Sequence, residues 1–326
     1  YVDDVILTSS NGEPMYREPD LIDVWFDSGA MPYAQWHYPF ENDEVFNANY
    51  PADFIAEGVD QTRGWFFTLH AIATLLYDKV AFKNVIANGL VLDKNGNKMS
   101  KRLGNAVNPF ETMDKYGPDA TRWYMIANAN PWDNLKFDIE GVAEVQRKYF
   151  GTLANTYSFF ALYANLDGFN FSKSAIPVEK RTESDRWVIS RLNSLIKEVD
   201  AAFNEYEPTK AARAIQNFVT DELSNWYVRL NRKRFWVGEY NEDKEAAYQT
   251  LYTALATVAQ LSAPIAPFYS EQLFRDLNAV SGLDSSESVH LADFPKADDS
   301  LIDEELEKRM HLAQSASSLV HSLRKK

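Results

Sequence analysis

The sequence predicts an α/β region followed by an all-α region, and three observations support this fold class. Short β-branched or aromatic runs alternate with a helical pattern up to about residue 137. From about Ile139 onward the strand patterns fade, and long amphipathic patterns replace them. The length of 326 residues suggests two domains, and a hydrophobic share of 45% is enough to build a core in each.

The α/β region is predicted from a strand–helix–strand pattern. Residues 53–56 and 84–87 contain short β-branched or aromatic runs, which predict short buried strands. Between them, apolar residues recur at helical spacing: Trp65, Phe66, Leu69, Ile72, Ala73 and Leu76. This order predicts two parallel strands joined by a right-handed helical crossover.

Two local patterns follow the second predicted strand. Asn95-Gly96 is a dipeptide typical of a tight turn. Asn108 followed by Pro109 and Glu111 predicts the start of a helix, with Asn as its cap, Pro at its first position and Glu at its third.

Four sets of apolar residues at helical spacing predict four helices, each with one face packed against a neighbour. They cover residues 142–160, 188–203, 215–230 and 248–261. Pro208 precedes the third helix and Pro264 ends the fourth. The predicted joints are residues 167–183 and 281–300, both rich in Ser, Pro, Asp and Lys.

Composition excludes several classes of protein. The chain has no cysteine, which excludes disulfides, thiolate zinc sites, iron–sulfur clusters and cysteine nucleophiles. Its net charge of −14 argues against a general DNA coater or a membrane-surface protein, although a local basic patch could still bind nucleic acid. No apolar run approaches the roughly 18 residues of a membrane span. Tyr1 is neither a Met start nor part of a signal-peptide pattern, so we expect the chain to begin inside a larger protein.

The sharpest short motif is Lys98-Met99-Ser100-Lys101-Arg102, which we call the basic loop. It places three positive charges within five residues, directly after the predicted turn. Cations on a loop can offset the charge of a triphosphate and of a departing pyrophosphate. A solvated basic loop without function is the alternative.

A second candidate site lies where the first strand gives way to the helix. Glu57 and Asp60 are carboxylates suited to an ammonium group or a ribose hydroxyl, Gly58 allows close backbone approach, and Gln61 adds an amide. Ligands of open α/β sheets bind at this end of the strands. The alternative is a helix N-terminus whose acidic residues only complement the helix dipole.

A basic cluster near the end of the third predicted helix is a candidate RNA contact. Arg229, Arg232, Lys233 and Arg234 lie among aromatic residues and could contact phosphates, while the aromatic rings could stack on bases. The alternative is a helix whose aromatic residues belong to the core and whose cations favour its C-terminal dipole.

Together these segments resemble a known family. DVWFDSG at 23–29, EGVDQTRGWF at 57–66, NGLVLD at 88–93 and KMSKR at 98–102 are similar, in this order, to class I aminoacyl-tRNA synthetases that charge isoleucine, valine, leucine and methionine. The segment at 57–66 is most similar to the isoleucine-specific members. DRW at 185–187 and SNWYVR at 224–229 resemble their anticodon-binding bundle.

The resemblance implies an architecture. Residues 1–138 would form the second half of a Rossmann-like nucleotide-binding catalytic domain with parallel strands. Residues 139–326 would form an α-helical anticodon-binding domain. The His-x-Gly-His signature of the family is absent from this sequence, so we expect the chain alone to be inactive.

The resemblance also implies roles for nucleotide-binding residues. Lys101 would contact ATP and stabilise the leaving pyrophosphate, assisted by Lys98. Asn88 and Gly89 would lie near the adenine of ATP, although many relatives have His where Asn88 stands.

The same resemblance assigns an amino-acid and adenylate site. Glu57 would bind the aminoacyl-adenylate, with Gly58, Asp60 and Gln61 lining the same site. Trp65 would lie near the amino-acid side chain, although an aromatic residue at helical spacing is also typical of a core.

The implied parent enzyme is a cytoplasmic monomer that uses ATP with Mg²⁺ as its co-substrate. It would activate isoleucine to the adenylate and transfer it to the 3′-terminal adenosine of tRNA(Ile), without a zinc site in this chain, DNA or a membrane. A valine-specific member is the alternative within the family. A non-catalytic tRNA-binding module is a hypothesis from a different class of protein. An unrelated dehydrogenase lacks support, because no Gly-x-Gly-x-x-Gly fingerprint is present.

Overall fold

The computed structural model describes residues 4–171 and 174–324, and the side chain of Lys101 lies outside this description. The chain forms two compact units, residues 1–90 and 91–326. These two units are distinguished by the density of their internal contacts. The predicted boundary after residue 138 instead separates the catalytic part from the anticodon-binding part, and it stays a prediction.

The first unit contains four strands and four helices among its described residues. They are, in chain order, β1 (Leu7–Thr8), β2 (Pro14–Met15), α1 (Val24–Gly29), α2 (Met31–Ala34), α3 (Asp43–Asn49), β3 (Ala52–Gly58), α4 (Trp65–Tyr77) and β4 (Phe82–Asn88). A 3₁₀ turn, Val59–Arg63, connects β3 to α4. β1 and β2 pair antiparallel, whereas β3 and β4 pair in parallel on either side of α4. The predicted strand–helix–strand unit is confirmed, but the prediction that its strands are buried is wrong, since Phe54 is 43% exposed and Val85 is 49% exposed.

Helix α4 holds the first unit together. Its buried Leu69 and Ala73 pack with Ala81 beneath the two parallel strands. On another face it contacts α1, where a Cβ on Gly29 would lie 2.8 Å from Ile72 Cδ1. The absence of a side chain at Gly29 therefore allows the two helices to approach closely.

The second unit begins with a short parallel pair of strands. β5 (Val91–Leu92) pairs with β6 (Leu135–Lys136). The chain between them includes a 3₁₀ turn, Lys101–Leu103, and the helices α5 (Pro109–Tyr116) and α6 (Pro118–Asn128). The predicted turn is confirmed, since Gly96 has a φ of +90° there. The predicted cap of α5 is also confirmed, because the Asn108 side chain accepts a hydrogen bond from Phe110 N.

The rest of the second unit is helical. Its helices are α7 (Ile139–Val145), α8 (Gly151–Asp167), α9 (Glu183–Asn204), α10 (Pro208–Asn217), α11 (Arg229–Trp236), α12 (Glu242–Ser262), α13 (Pro267–Ser281) and α14 (Glu304–Arg324). Further 3₁₀ turns are Val178–Lys180 and Asp299–Leu301. All four predicted helices and both predicted joints are present. The helix α13 is not among the helices predicted from the sequence.

Two of the predicted helices contain a stretch of wider winding. Gln146–Phe150 joins α7 to α8, and Phe218–Val228 joins α10 to α11, both in π-helical geometry. The core that these helices share also includes residues that precede them. Trp123 of α6 is fully buried and stacks on Tyr149 with ring centroids 4.1 Å apart. The end of the α/β region therefore packs into the helical core.

Among residues 4–171 and 174–324, no helix combines the length and the apolar composition that crossing a membrane requires.

Candidate active site and RNA-contacting surface

The carboxyl ends of β3 and β4 bring four predicted site residues together. Because the strands are parallel, Gly58 lies opposite Asn88 and Glu57 lies opposite Ala87. Gly89 follows directly, and all four predicted residues are partly exposed. This edge is where an open α/β sheet binds its ligand.

The 3₁₀ turn after β3 is built around Gly58. A Cβ at this position would lie 2.5 Å from Asp60 Oδ1, so the carboxylate of Asp60 folds back over the glycine. Gln61 Nε2 donates to Asp60 Oδ2 at 3.4 Å, and Gln61 Oε1 accepts from Trp65 N at 3.0 Å. Gln61 thereby satisfies a backbone donor at the start of α4 and also contacts the exposed carboxylate.

Trp65 combines a structural contact with partial exposure. Its indole Nε1 donates to Ser28 O of α1 at 2.9 Å, and its ring packs against the core that contains Leu69. The ring remains partly exposed. It therefore fixes α1 against α4 while leaving part of its surface open.

The basic loop lies in the second unit. Lys98 is exposed, and the backbone of Lys101 begins the 3₁₀ turn, whereas its side chain lies outside the described atoms. Ser100 caps this turn, because its Oγ accepts from Arg102 N at 3.2 Å and its carbonyl accepts from Leu103 N at 3.1 Å.

Sequence reasoning gave no role to the two polar residues that hold the basic loop. Asn105 Nδ2 donates to Asp93 Oδ2 at 3.0 Å, and Asn105 Oδ1 accepts from Ser100 N at 2.8 Å. Hydrogen bonds from Asn105, and further ones from Asn97 and Asn95, lower the pKa of Asp93 to about 2. The Asp-x-Asn-Gly turn pattern at 93–96 was the available signal for Asp93, whereas a single Asn at position 105 carries none.

The predicted basic cluster divides into two groups. Arg229, Arg232 and Lys233 are exposed on α11. Arg234 is instead largely buried, with 13% of its side chain exposed, and it forms ion pairs with Asp185 at 2.8 Å and Asp243 at 2.7 Å. The guanidinium of Arg234 therefore has a structural role, unlike those of its neighbours.

Asp185 anchors Arg234 from the start of α9. Its side chain is fully buried and also accepts a hydrogen bond from Tyr227 Oη at 2.6 Å. Burial alone would raise the pKa of Asp185, but the hydrogen bonds and charge of Arg234 outweigh burial and lower it. Asp185 therefore stays ionised within the bundle.

The aromatic residues of this segment also divide. Tyr227 and Phe235 are buried in the core, whereas 54% of Trp236 is exposed. Trp226 is partly buried, and its Nε1 contacts Met310 Sδ of α14 at 3.0 Å. Among these four aromatic residues, Trp236 offers the most ring surface for stacking.

A groove of about 880 Å³ runs between this segment and α14. Arg229 and Trp226 line one side, and His311, Gln314 and His321 line the other. The lining combines a cation, an aromatic ring and several hydrogen-bonding groups with two carboxylates, Asp221 and Glu222. Cations and aromatic rings are the side chains that contact single-stranded RNA, whereas carboxylates repel its phosphates.

Within the part of the chain that the structure describes, no group of three or more His, Asp or Glu side chains could hold a metal ion.

Two family descriptions match the chain. Residues 2–138 match the tRNA synthetases class I (I, L, M and V), and residues 185–326 match the anticodon-binding domain of tRNA ligase. The chain therefore contains a class I tRNA synthetase domain segment at residues 2–138 and an anticodon-binding domain at residues 185–326. The strand-end site and the basic loop thus lie in its synthetase domain, and α11 lies in its anticodon-binding domain.

Curated relatives extend the likeness over the whole chain. The chain is 75% identical over 325 residues to the isoleucine–tRNA ligase of Cytophaga hutchinsonii, and 66% identical over 328 residues to that of Bacteroides thetaiotaomicron. It is 50% identical over 326 residues to that of Thermus thermophilus. These matches include 100% of this chain but only 29%, 28% and 31% of the relatives. The chain therefore spans less than a third of their length.

Two solved structures share the fold of this chain. LeuRS from Agrobacterium radiobacter K84, in a ternary complex with tRNA and LeuAMS, matches with a TM-score of 0.71 at 21% identity. The match covers 91% of this chain and 36% of the LeuRS chain. Mycobacterium tuberculosis methionyl-tRNA synthetase in complex with methionyl-adenylate has a TM-score of 0.66 at 20% identity, with coverages of 87% and 57%. These similarities confirm the predicted fold class, a Rossmann-like part with parallel strands followed by a mostly helical region.

Proposed function

We propose that this chain acts within an isoleucine–tRNA ligase, which activates isoleucine with ATP to isoleucyl-adenylate and transfers it to the 3′-terminal adenosine of tRNA(Ile). The observation that carries this proposal is the 75% identity to one such ligase over 325 residues. Residues 1–138 contribute the second half of the catalytic domain, and residues 139–326 bind the tRNA. The parent enzyme is a cytoplasmic monomer.

The strand-end site binds the adenylate. Glu57 is partly exposed and Asp60 is exposed at this edge of the sheet, so a ligand can reach both carboxylates. The two carboxylates accept hydrogen bonds from the ammonium group or the ribose hydroxyls of the adenylate. Gly58 lets the ligand approach the backbone, and Gln61 adds an amide next to Asp60. The open part of the Trp65 ring contacts the isoleucine side chain.

Asn88 and Gly89 continue the same edge. Since Asn88 pairs with Gly58 in the sheet, its backbone and amide lie beside the residues that bind the adenylate. We assign this pair to the adenine of ATP.

The basic loop stabilises charge on the phosphates. Lys101 is the main contact of the leaving pyrophosphate, and Lys98 assists it, because negative charge accumulates there as the adenylate forms. Mg²⁺ would accompany the triphosphate of ATP as part of the co-substrate and would neutralise part of this charge.

The exposed cations of α11 contact tRNA phosphates. Arg229, Arg232 and Lys233 form this surface, and Trp236 supplies an exposed ring for stacking on a base. Arg234 contributes indirectly, because its pairs with Asp185 and Asp243 hold this end of α11 in place.

Amino-acid-dependent exchange of pyrophosphate into ATP tests the proposed reaction. The chain is grafted in place of the matching segment of the Cytophaga hutchinsonii ligase, since 75% identity makes the two segments interchangeable in size and core. We expect exchange with isoleucine and much weaker exchange with valine. A grafted enzyme that folds but prefers valine, or activates neither amino acid, would contradict the proposal. The 326-residue chain alone is expected to show no exchange.

Lys101→Ala in the same grafted ligase tests the proposed role of the basic loop. One preorganised donor to a developing charge contributes about 2.7–4 kcal/mol to lowering a barrier. We therefore expect adenylate formation to slow by about 10²–10³-fold while isoleucine affinity changes little. Unchanged adenylation with weakened isoleucine binding would place Lys101 in a different role.

A further inference from the structure

A single amide side chain ties the basic loop to the turn that precedes it. Asn105 donates from Nδ2 to Asp93 Oδ2 at 3.0 Å and to Lys98 O at 3.2 Å. Its Oδ1 accepts from Ser100 N at 2.8 Å. Asn105 therefore contacts both the backbone of the loop and the side chain of Asp93.

The two oxygens of Asp93 have different partners. Oδ1 accepts from Asn95 N at 2.9 Å and from Asn97 N at 2.8 Å, which stabilises the turn. Oδ2 accepts from Asn105 Nδ2 at 3.0 Å and from Asn97 Nδ2 at 3.3 Å. Backbone hydrogen bonds from Gly96 N to Asp93 O and from Asp93 N to Asn97 O complete the turn, each at 2.9 Å. One oxygen thus holds the turn and the other holds Asn105.

These contacts close residues 98–105 into a small ring. Ser100 is held by Asn105, and Ser100 in turn caps the 3₁₀ turn that begins at Lys101. The backbone on both sides of Lys101 is therefore fixed relative to Asp93. A cationic loop that is fixed before the reaction loses less conformational entropy when it binds its anion.

We propose that Asp93 and Asn105 are positioning residues that orient the basic loop for adenylate formation. This inference rests on the proposed function, since it assigns the loop to the pyrophosphate. Neither residue contributes a side chain to the hydrophobic cores of the described residues. Their contribution is to the geometry of the loop, so we expect their substitution to lower the rate more than the stability.

Exchanging the two side chains reverses the hydrogen bond between Asn105 Nδ2, the donor, and Asp93 Oδ2, the acceptor. Asp93→Asn can keep Oδ1 on the turn, but its new Nδ2 faces the donor Nδ2 of Asn105. Asn105→Asp can still accept from Ser100 N, but its new oxygen faces Asp93 Oδ2. In the double variant, the amide at position 93 donates to the carboxylate at position 105, which restores this one hydrogen bond in the opposite direction. The contacts with Lys98 O and with Asn97 Nδ2 are not restored, because the first would join two acceptors and the second two donors.

Isoleucine-dependent pyrophosphate exchange in the grafted ligase measures the consequence. We expect each single variant to lower kcat by about 10–100-fold, the range expected when a reacting group is misplaced by about 1 Å. The KM for isoleucine should stay within about threefold, since the loop does not contact it. The double variant should recover part of the loss, because one of the three contacts of the exchanged atoms is restored. Single variants with normal kcat, or a double variant no faster than Asn105→Asp, would overturn the proposal.

Amide hydrogen exchange in the 326-residue chain tests the pairing independently of activity. We expect the Ser100 amide to lose protection by about tenfold in each single variant and to regain part of it in the double variant. If the graft activates no amino acid, the proposed function fails, yet this measurement still decides whether Asp93 and Asn105 fix the loop. Unchanged protection of Ser100 in all variants would refute their role.

Discussion

Gly58 and Gly141 both lie where an added Cβ would meet a neighbouring side chain, but the consequences differ. At Gly58 an added Cβ would meet the carboxylate of Asp60 at 2.5 Å, the mobile end of an exposed side chain. At Gly141 it would meet the ring of Tyr124 at 2.3 Å, and this ring is buried and anchored by a hydrogen bond from its hydroxyl to Lys136 O at 3.0 Å. The first glycine thus positions a candidate ligand-binding group, whereas the second permits packing.

Gly58→Ala should impair binding while leaving stability nearly unchanged. The free energy of unfolding should change by less than about 0.5 kcal/mol, since Asp60 can move into solvent. Displacing a charged hydrogen-bonding group costs about 1.5–3 kcal/mol, so a non-hydrolysable isoleucyl-adenylate analogue should bind the grafted ligase about 10–100-fold more weakly by calorimetric titration.

Gly141→Ala is the matched comparison, because the same methyl group is added. The ring of Tyr124 cannot move aside freely, so we expect the free energy of unfolding to fall by about 1–3 kcal/mol. Denaturant titration measures both variants. Equal destabilisation by the two substitutions would show that Gly58 is also a packing residue.

The helices α11 and α14 are each held by a few buried contacts while the rest of their surface stays exposed. α11 is fixed by Arg234 and by buried Phe235, which leaves its exposed cations available. α14 has one buried residue, Leu306, and is held near its start by Glu307, which accepts a hydrogen bond from Ser194 Oγ at 2.8 Å. Beyond this attachment, α14 forms one wall of the groove beside Arg229.

Replacing both Arg229 and Arg232 by Ala should weaken tRNA binding to the grafted ligase. Each lost phosphate contact lowers the slope of log K against log salt by about 0.7–0.9, so the double variant should lose about 1.4–1.8. Filter binding at several salt concentrations measures this slope. Isoleucine-dependent pyrophosphate exchange needs no tRNA and should remain normal.

Lys148→Ala combined with Arg275→Ala removes the same charge from other helical surfaces, where each cation pairs with a glutamate four residues away. This control should bind tRNA with a nearly unchanged slope. Arg234→Ala should instead destabilise the fold by about 3–5 kcal/mol, because it leaves Asp185 charged and buried. If the control and the Arg229/Arg232 variant behave alike, the exposed face of α11 is not the RNA contact.

At the scale of the whole molecule, stability depends on a few buried charges in an acidic chain. Asp185 has a pKa below its ordinary value of 3.8 in the folded protein. A carboxyl group of this kind stabilises the fold above its unfolded pKa and loses that contribution as pH falls through its folded pKa. The ion pair with Arg234 therefore favours folding at neutral pH and weakens in acid.

The free energy of unfolding should therefore decrease as pH falls below about 4, the unfolded pKa of an aspartate. Urea titrations at a series of pH values from about 3 to about 7 give this profile. Asp185→Asn should be less stable at neutral pH, yet its stability should fall less steeply in acid because the titrating group is gone. A variant profile that runs parallel to the wild type would exclude Asp185 as a source of the pH dependence.

Local patterns were sufficient for several elements of this chain. The strand–helix–strand unit around α4, the turn at Gly96 and the cap at Asn108 are each encoded within a few residues, since periodicity, positive φ and capping act locally. The order of motifs from residue 23 to residue 102 likewise indicates the family without any knowledge of the fold. The spacing of Leu273, Phe274 and Leu277 could have predicted α13 in the same way.

Contacts between distant residues could be decided only by the tertiary structure. Arg234 belonged to an RNA-contacting cluster by composition, but the fold brings Asp185, 49 positions away, against its guanidinium. Asp119 likewise accepts a hydrogen bond from Tyr269 N at 2.6 Å at the start of α13, 150 positions away. Asn105 shows no pattern in the sequence, yet it holds the basic loop through Asp93. The family resemblance, the local elements and the candidate residues can thus be predicted from the sequence. Packing decides which charges are paired in the interior and which face solvent, because a buried charge is stable only beside a partner that the fold supplies.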